Sequence, residues 1–176
     1  VFTREPGSTW VGDQVRRAVA EKADPITEAL LFAAEHAAHL STLVRPSLER
    51  GLLVISDRYS DSRYAYQQET LKGYIDDPLA WLRALHAGWT VCPDLTFLIV
   101  LPVDEALSRI KEKQNREHFE NHRLLEKVQD QYLALAKSDP SRFVLVDGTK
   151  DEGEIAGFVA GVIRDAFGRS RSHRRP

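Results

Sequence analysis

Three short apolar runs, at residues 52–55, 95–101 and 143–146, constrain this chain more than any other feature of it. Each is rich in Leu, Val, Ile or Phe with little alternation of apolar and polar positions, the pattern of a parallel strand covered on both faces. Helical periodicity fills the stretches between them. Residues 26–50 carry Leu30, Leu31, Ala34, Ala38 and Val44 near 3.6-residue spacing, and Pro46 is expected to kink or interrupt the last turns. Residues 76–88 and 104–114 read as further helices, the second with Asp104 as its N-cap. Residues 120–137 place Leu124, Leu125, Val128, Tyr132 and Leu135 on one face, and a last helix at 152–167 follows the turn Asp147-Gly148. Apolar strands alternating with helices predict an α/β fold, a parallel sheet flanked by helices.

The chain has 176 residues, 43% apolar and 28% charged, which suits one globular domain and excludes disordered and fibrous classes. Its single cysteine, Cys92, excludes a disulfide framework and any multi-cysteine metal site. No apolar run nears the roughly 18 residues of a membrane helix, so a soluble, cytoplasmic protein with no membrane partner is expected. The net charge is −2, yet residues 169–176 hold four arginines and no acid, leaving 20 basic against 26 acidic residues elsewhere. A nucleic-acid-binding chain carries its positive charge on the folded body, so nucleic acid is not an expected partner and 169–176 reads as a basic disordered tail. The chain contains no methionine and opens on Val1-Phe2-Thr3, which reads as the end of a buried strand and predicts a segment ahead of Val1.

Chemistry-bearing residues gather at three places. Thr3-Arg4-Glu5-Pro6-Gly7-Ser8-Thr9 follows the first strand remnant and leads to Arg16, at the carboxyl end of a strand where α/β sheets bind ligands. Ser56-Asp57-Arg58-Tyr59 follows the strand at 52–55 and continues to Ser62, Tyr64, Tyr66 and Gln67. An Asp beside an Arg at a strand end suits a cation together with a phosphate, and equally a structural ion pair. The third place is the charged run 109–123, with Arg109, Arg116 and Arg123 among acids: a solvated helix face, or a lid whose arginines neutralise a transferring group.

Phe2-Thr3-Arg4-Glu5-Pro6-Gly7, Leu31-Phe32-Ala33-Ala34, Asp57-Arg58-Tyr59 with Ser62 and Ala65-Tyr66-Gln67, Pro93-Asp94-Leu95-Thr96 and Val146-Asp147 stand in an order that resembles the thymidylate kinases, P-loop nucleoside monophosphate kinases. The resemblance runs from residue 1 to about 167. It implies transfer of the ATP γ-phosphoryl to dTMP with Mg²⁺, a domain over 1–168 with a lid at about 109–123, and a homodimer. It implies that Phe32 stacks on thymine, that Arg58 with Arg16 grips the dTMP phosphate, and that Asp57 meets Mg²⁺ through water. It further implies that Tyr66 packs against the deoxyribose, that Ser62 and Gln67 bond the base, and that Glu5 lies in the loop facing the acceptor. Arg109 and Arg116 become the lid arginines.

Two features depart from that family. The place four residues after the stacking phenylalanine, where the family usually has an arginine to the thymine O4, is His36, read as a weaker base contact or as a helix histidine bonded within the protein. The Gly-rich loop G-x-x-x-x-G-K-[ST] does not occur in these 176 residues. The strand that precedes it belongs, by the resemblance, between the strands at 52–55 and 95–101, so these two are expected not to pair directly, and turnover by these residues alone is not expected. A non-catalytic nucleotide binder and a kinase for another pyrimidine monophosphate are the alternative readings.

Overall fold

The computed structural model describes residues 1–111 and 122–168. Strand β1 (Phe2–Arg4) leads through a polar loop to helix α1 (Trp10–Glu21), which buries Val11, Val15 and Ala18. Thr9 caps it, its Oγ1 accepting from the Gly12 amide at 2.9 Å. Gly12 is required here by a close approach, since a Cβ would run into the Gly7 carbonyl. Asp24 caps α2 (Pro25–His39) by accepting from the Ile26 and Thr27 amides at 3.1 and 3.0 Å, and Pro25 fits the first turn, where no amide is needed.

The interruption expected at Pro46 takes the form of a wider turn rather than a break. A π-helical turn, Leu40–Val44, joins α2 to α3 (Arg45–Glu49), and the Arg45 amide reaches back to the Leu40 carbonyl. Strand β2 (Ile55–Asp57), helix α4 (Ser60–Thr70) and helix α5 (Pro78–His86) follow, then β3 (Thr96–Val100), α6 (Val103–Lys111), α7 (His122–Ser138), β4 (Phe143–Asp147) and α8 (Glu152–Gly168). Helix α6 starts one residue ahead of the expected cap, so Asp104 lies in its first turn, where a carboxylate still suits the helix dipole. Helices α1 and α4 were not foreseen from periodicity.

All strand pairing among the described residues is parallel, in two pairs rather than one sheet. Phe2 pairs with Ile55 and Arg4 with Asp57; Thr96 pairs with Phe143 and Val100 with Asp147. Strands β2 and β3 are not bonded to each other, as expected. A cavity of about 860 Å³ lies between them, lined by Ile55, Asp57, Leu98 and Val100 and by Val159 and Ile163 of α8. The strands are not covered on both faces as expected: Ile55 and Ile99, which line the cavity, are exposed, the latter to 52%, and so is Leu145 of β4, which does not line it.

Helix α4 sits at the centre, packing against α2, α5 and α7. Ala65 joins Val128, Leu135, Ala136 and Phe143 in one apolar cluster; Ala29, Leu71 and Leu82 form another. The buried face of α2 is not the one its apolar residues suggested. Leu30 is 46% exposed and Ala34 is exposed, whereas Glu28, Glu35, His36 and His39 are buried with Ala29 and Ala33. Among the described residues no helix is long and apolar enough to cross a membrane.

Arg142 ties the two halves together. Its guanidinium forks onto Asp61 of α4 at 2.6 and 3.0 Å, donates to Thr96 Oγ1 of β3 at 2.7 Å and lies over the Phe143 ring. Arg142→Met keeps the apolar stem but strands the buried Asp61 carboxylate, and is expected to cost about 3 kcal/mol in urea unfolding. The double variant Asp61→Asn/Arg142→Met removes both charges and should lose clearly less.

Candidate functional site

The loop after β1 and the loop after β2 lie side by side, because the Glu5 amide continues the parallel ladder onto the Asp57 carbonyl at 3.0 Å. The carboxyl ends of both strands therefore open on one edge, where the helices α2 and α4 meet them. Asp57 and Arg58 stand there exposed. Arg58 has φ 61°, a left-handed backbone unusual for a side chain of this size, and Ser56 Oγ donates to its carbonyl at 2.7 Å. Its guanidinium lies 5.3 Å from the centre of the Tyr66 ring, in the second turn of α4.

Glu5 does not face solvent. Its Oε1 accepts from Nδ1 of His36 and of His39, each at 2.8 Å, and its Oε2 accepts from the Arg63 guanidinium at 2.5 Å. Burial alone would raise the Glu5 pKa, but the two histidine hydrogen bonds and the Arg63 charge win and hold the carboxyl far below the usual carboxylate range. Each histidine donates from Nδ1 to this carboxylate; burial lowers the His36 pKa and favours its neutral form, whose Nε2 accepts from Thr90 Oγ1 at 2.7 Å, and His39 Nε2 lies 2.8 Å from Thr3 Oγ1 in a hydrogen bond. Arg63 Nε donates to Nε2 of His86 at 3.1 Å, whose Nδ1 donates to the Leu82 carbonyl at 2.7 Å. Burial pushes His86 down to about 4, and the nearby Arg63 charge adds to this.

The expected site residues fall into two groups. Asp57, Arg58, Ser62 and Tyr66 line the 860 Å³ cavity. There Ser62 Oγ accepts from the Tyr132 hydroxyl at 2.7 Å, and Tyr66 meets the Tyr132 ring edge-on. Glu5, His36 and Gln67 belong to the buried interface around α2 and α4, with Phe32 half-buried on the same stripe of α2 as Glu35, His36 and His39. His36 has both ring nitrogens engaged by protein groups, which leaves none for a base. Arg16 reaches from α1 to the Gly7 carbonyl at 2.8 Å and pairs with Asp13 at 2.6 Å, so it braces the loop that follows Glu5. Arg109 pairs with Glu105 at 2.6 Å and donates to the Gly148 carbonyl at 3.2 Å. Arg116 and most of the expected lid lie outside the described residues.

Sequence reasoning missed Arg63, Glu35, His39, His86 and Tyr132. A signal existed for two of them: 32, 35, 36 and 39 share one helical stripe, and its polar members are buried. Glu35 Oε1 accepts from the Gly7 amide at 2.8 Å, and burial pushes its pKa up.

The contribution of His86 to the pH dependence of stability has a definite sign. His86 falls from 6.5 to about 4 on folding, so over that interval the unfolded chain takes up a proton that the native one refuses, and stability is lost as pH drops. Glu5, held low, contributes stability above its ordinary 4.5 that is lost on further acidification. Between about pH 7 and pH 4 the melting temperature is expected to lose more in wild type than in His86→Gln, whose amide oxygen can still accept from Arg63; Glu28 and Glu35, whose carboxyls burial pushes up, act in the opposite sense in both proteins. Equal slopes would contradict this assignment.

Residues 1–157 match the family model described as thymidylate kinase. The chain is 58% identical over 176 residues to a probable thymidylate kinase of Methanoculleus marisnigri, a match that covers 100% of this chain and 85% of that protein. It is 54% identical over 167 residues to one of Methanospirillum hungatei, covering 95% of this chain and 81% of the relative. One of Methanocorpusculum labreanum is 51% identical over 164 residues, covering 93% and 83%. The exposed Asp57-Arg58 pair at a parallel strand end and the buried loop from Glu5 to Gly7 thus sit within a match that spans nearly the whole chain, and the chain belongs to the thymidylate kinase family.

Proposed function

We propose that this chain carries the acceptor side of a dTMP kinase, the enzyme transferring a phosphoryl group from ATP to dTMP to give dTDP. The observation that supports it best is Arg58, held in a left-handed backbone at the end of β2 with its guanidinium against Tyr66. A guanidinium so placed offers two parallel donors to a monophosphate, while Tyr66 fills the space beside the sugar. Arg16 supports the phosphate end through the loop it braces. Phe32 takes the face of the base, and Ser62 and Gln67 lie along α4 as its polar companions.

Phosphoryl transfer of this kind is positioning and charge neutralisation. Among the described residues no three His, Cys, Asp or Glu side chains gather as a metal cage, and one exposed carboxylate, Asp57, stands at the strand end. That donor set suits Mg²⁺, which keeps waters and phosphate oxygens as ligands and needs one protein carboxylate. When bound, Mg²⁺ supplies positive charge to the transferring group; Asp57 would hold it through water. Arg109 and Arg116 complete this reading as lid arginines. A cytoplasmic homodimer belongs to it as well, with the face of α2 that carries the exposed Leu30 as its seam.

A coupled assay on the full-length enzyme comparing dTMP, dUMP, UMP and CMP tests the substrate, and absence of a preference for dTMP overturns it in favour of another pyrimidine kinase or a non-catalytic binder. Arg58→Ala is expected to lower kcat/KM for dTMP roughly a hundredfold while the protein stays folded.

A further inference from the structure

Helix α7 lies against α4, and its residues 125, 128, 129, 132 and 133 line the cavity at helical spacing. Val128, Leu135 and Ala136 are buried beside Ala65 of α4, and Gln129 Nε2 donates to the Leu101 carbonyl at 2.9 Å, so this part of α7 is fixed both to α4 and to the chain after β3. Tyr132 stands within that fixed stretch. Its hydroxyl donates to Ser62 Oγ at 2.7 Å, and its ring meets the Tyr66 ring edge-on, the centroids 6.3 Å apart and the planes at 83°. Ser62 and Tyr66 are one turn apart on α4, so hydroxyl and ring edge are tied to the same stripe of that helix.

The face of the Tyr66 ring carries the Arg58 guanidinium, 5.3 Å from the ring centre, where a cation is attracted to the π-system. An arginine side chain is long and loses much rotamer freedom when it forks onto a phosphate, unless something holds it beforehand. Ser56 Oγ holds the main chain of Arg58, and the Tyr66 ring holds its head. Tyr66 in turn has its orientation from the edge of Tyr132, and Tyr132 has its own from Ser62. Burial pushes the Tyr132 pKa up to about 12, so the hydroxyl keeps the proton that it donates. The order Ser62, Tyr132, Tyr66, Arg58 thus runs from a fixed helix face to an exposed guanidinium.

We propose that Tyr132 is a positioning residue for the acceptor phosphate: locked by Ser62, its ring edge sets the orientation of Tyr66, and Tyr66 presents the Arg58 guanidinium in the place where the phosphate arrives. This inference rests on the dTMP kinase reading. Tyr132 spends its hydroxyl and its ring edge on α4, so it acts through Tyr66 and Arg58 rather than on the nucleotide. What it supplies is preorganisation: with the Tyr66 ring turned away, Arg58 orders its own side chain at the cost of phosphate binding. A nucleoside without the 5′-phosphate draws nothing from this arrangement. That separates the role from one in packing the sugar, the base or the protein interior.

The test uses the full-length enzyme with dTMP and with thymidine, which lacks the phosphate. Tyr132→Phe removes the hydroxyl alone, and Tyr132→Leu removes the ring edge as well; should the second fail to give a cooperative melting curve, the first decides. The calorimetric Kd for dTMP should rise about three- to fivefold in Tyr132→Phe and about tenfold in Tyr132→Leu, while that for thymidine changes less than about twofold. KM for dTMP should follow, with KM for ATP unchanged. Added to Arg58→Ala, either Tyr132 substitution should cost no further dTMP affinity, because both act on one interaction. A folded variant that weakens dTMP and thymidine equally makes Tyr132 a packing residue and overturns the proposal, as does a loss that adds in full to that of Arg58→Ala. An Arg58→Ala enzyme with undiminished dTMP affinity overturns the reading of Arg58 and this proposal with it, an outcome distinct from an Arg58-dependent enzyme that is indifferent to Tyr132.

Discussion

The buried pair of Glu5 and Arg63 is the interaction around which the described part of the molecule is organised. One carboxylate joins the loop after β1 to two histidines of α2 and to a guanidinium of α4, and that guanidinium continues to His86 of α5. Four segments distant in sequence are thus tied to a single charged centre with almost no access to water. Such a pair is expensive to desolvate and is a weak source of stability in itself. What it contributes is geometry: breaking any member leaves a charge with nowhere to go, so α2, α4 and α5 hold one arrangement relative to the strand ends. The proposed acceptor site stands on that arrangement.

The same pair explains why a helix as polar as α4 can occupy the centre of the structure. Asp61, Arg63, Gln67 and Glu69 are all buried in it. Asp61 is matched by Arg142 and Thr96 on one side, and Arg63 by Glu5 and His86 on the other. Paired in this way the charges are tolerated, and Ala65, between them, is free to pack against α7 and β4. Left-handed backbone at a side-chain-bearing residue occurs at the end of α1, where Lys22 has φ 54°, and at the strand end, where Arg58 has φ 61° at the phosphate-gripping position proposed for it.

The strands were legible because burial writes itself into composition: the runs at 95–101 and 143–146 became β3 and β4 with small shifts of boundary, and the run at 52–55 leads into β2, which starts three residues later than read. The clusters at residues 3–9 and 56–59 were legible as strand-end chemistry, and both lie on one edge. Helix α4 was not legible, since its buried residues are mostly polar and leave no apolar stripe at helical spacing. The face of α2 was misread for the same reason. Apolar periodicity pointed to Leu30 and Ala34, while the interior took Glu35, His36 and His39, whose partners lie 28 to 34 residues away in the loop after β1.

The sequence by itself determined the family, the α/β class and the strand-end motif Asp57-Arg58-Tyr59, because each is written in contiguous residues whose spacing along one element sets their chemistry. Only the tertiary structure decided that Glu5 turns inward, that His36 has no nitrogen to spare and that Arg63 keeps one. The reason is physical: whether a charged or aromatic nitrogen is available to a ligand depends on which groups desolvate and pair with it, and those groups come from helices that meet only when the chain has folded.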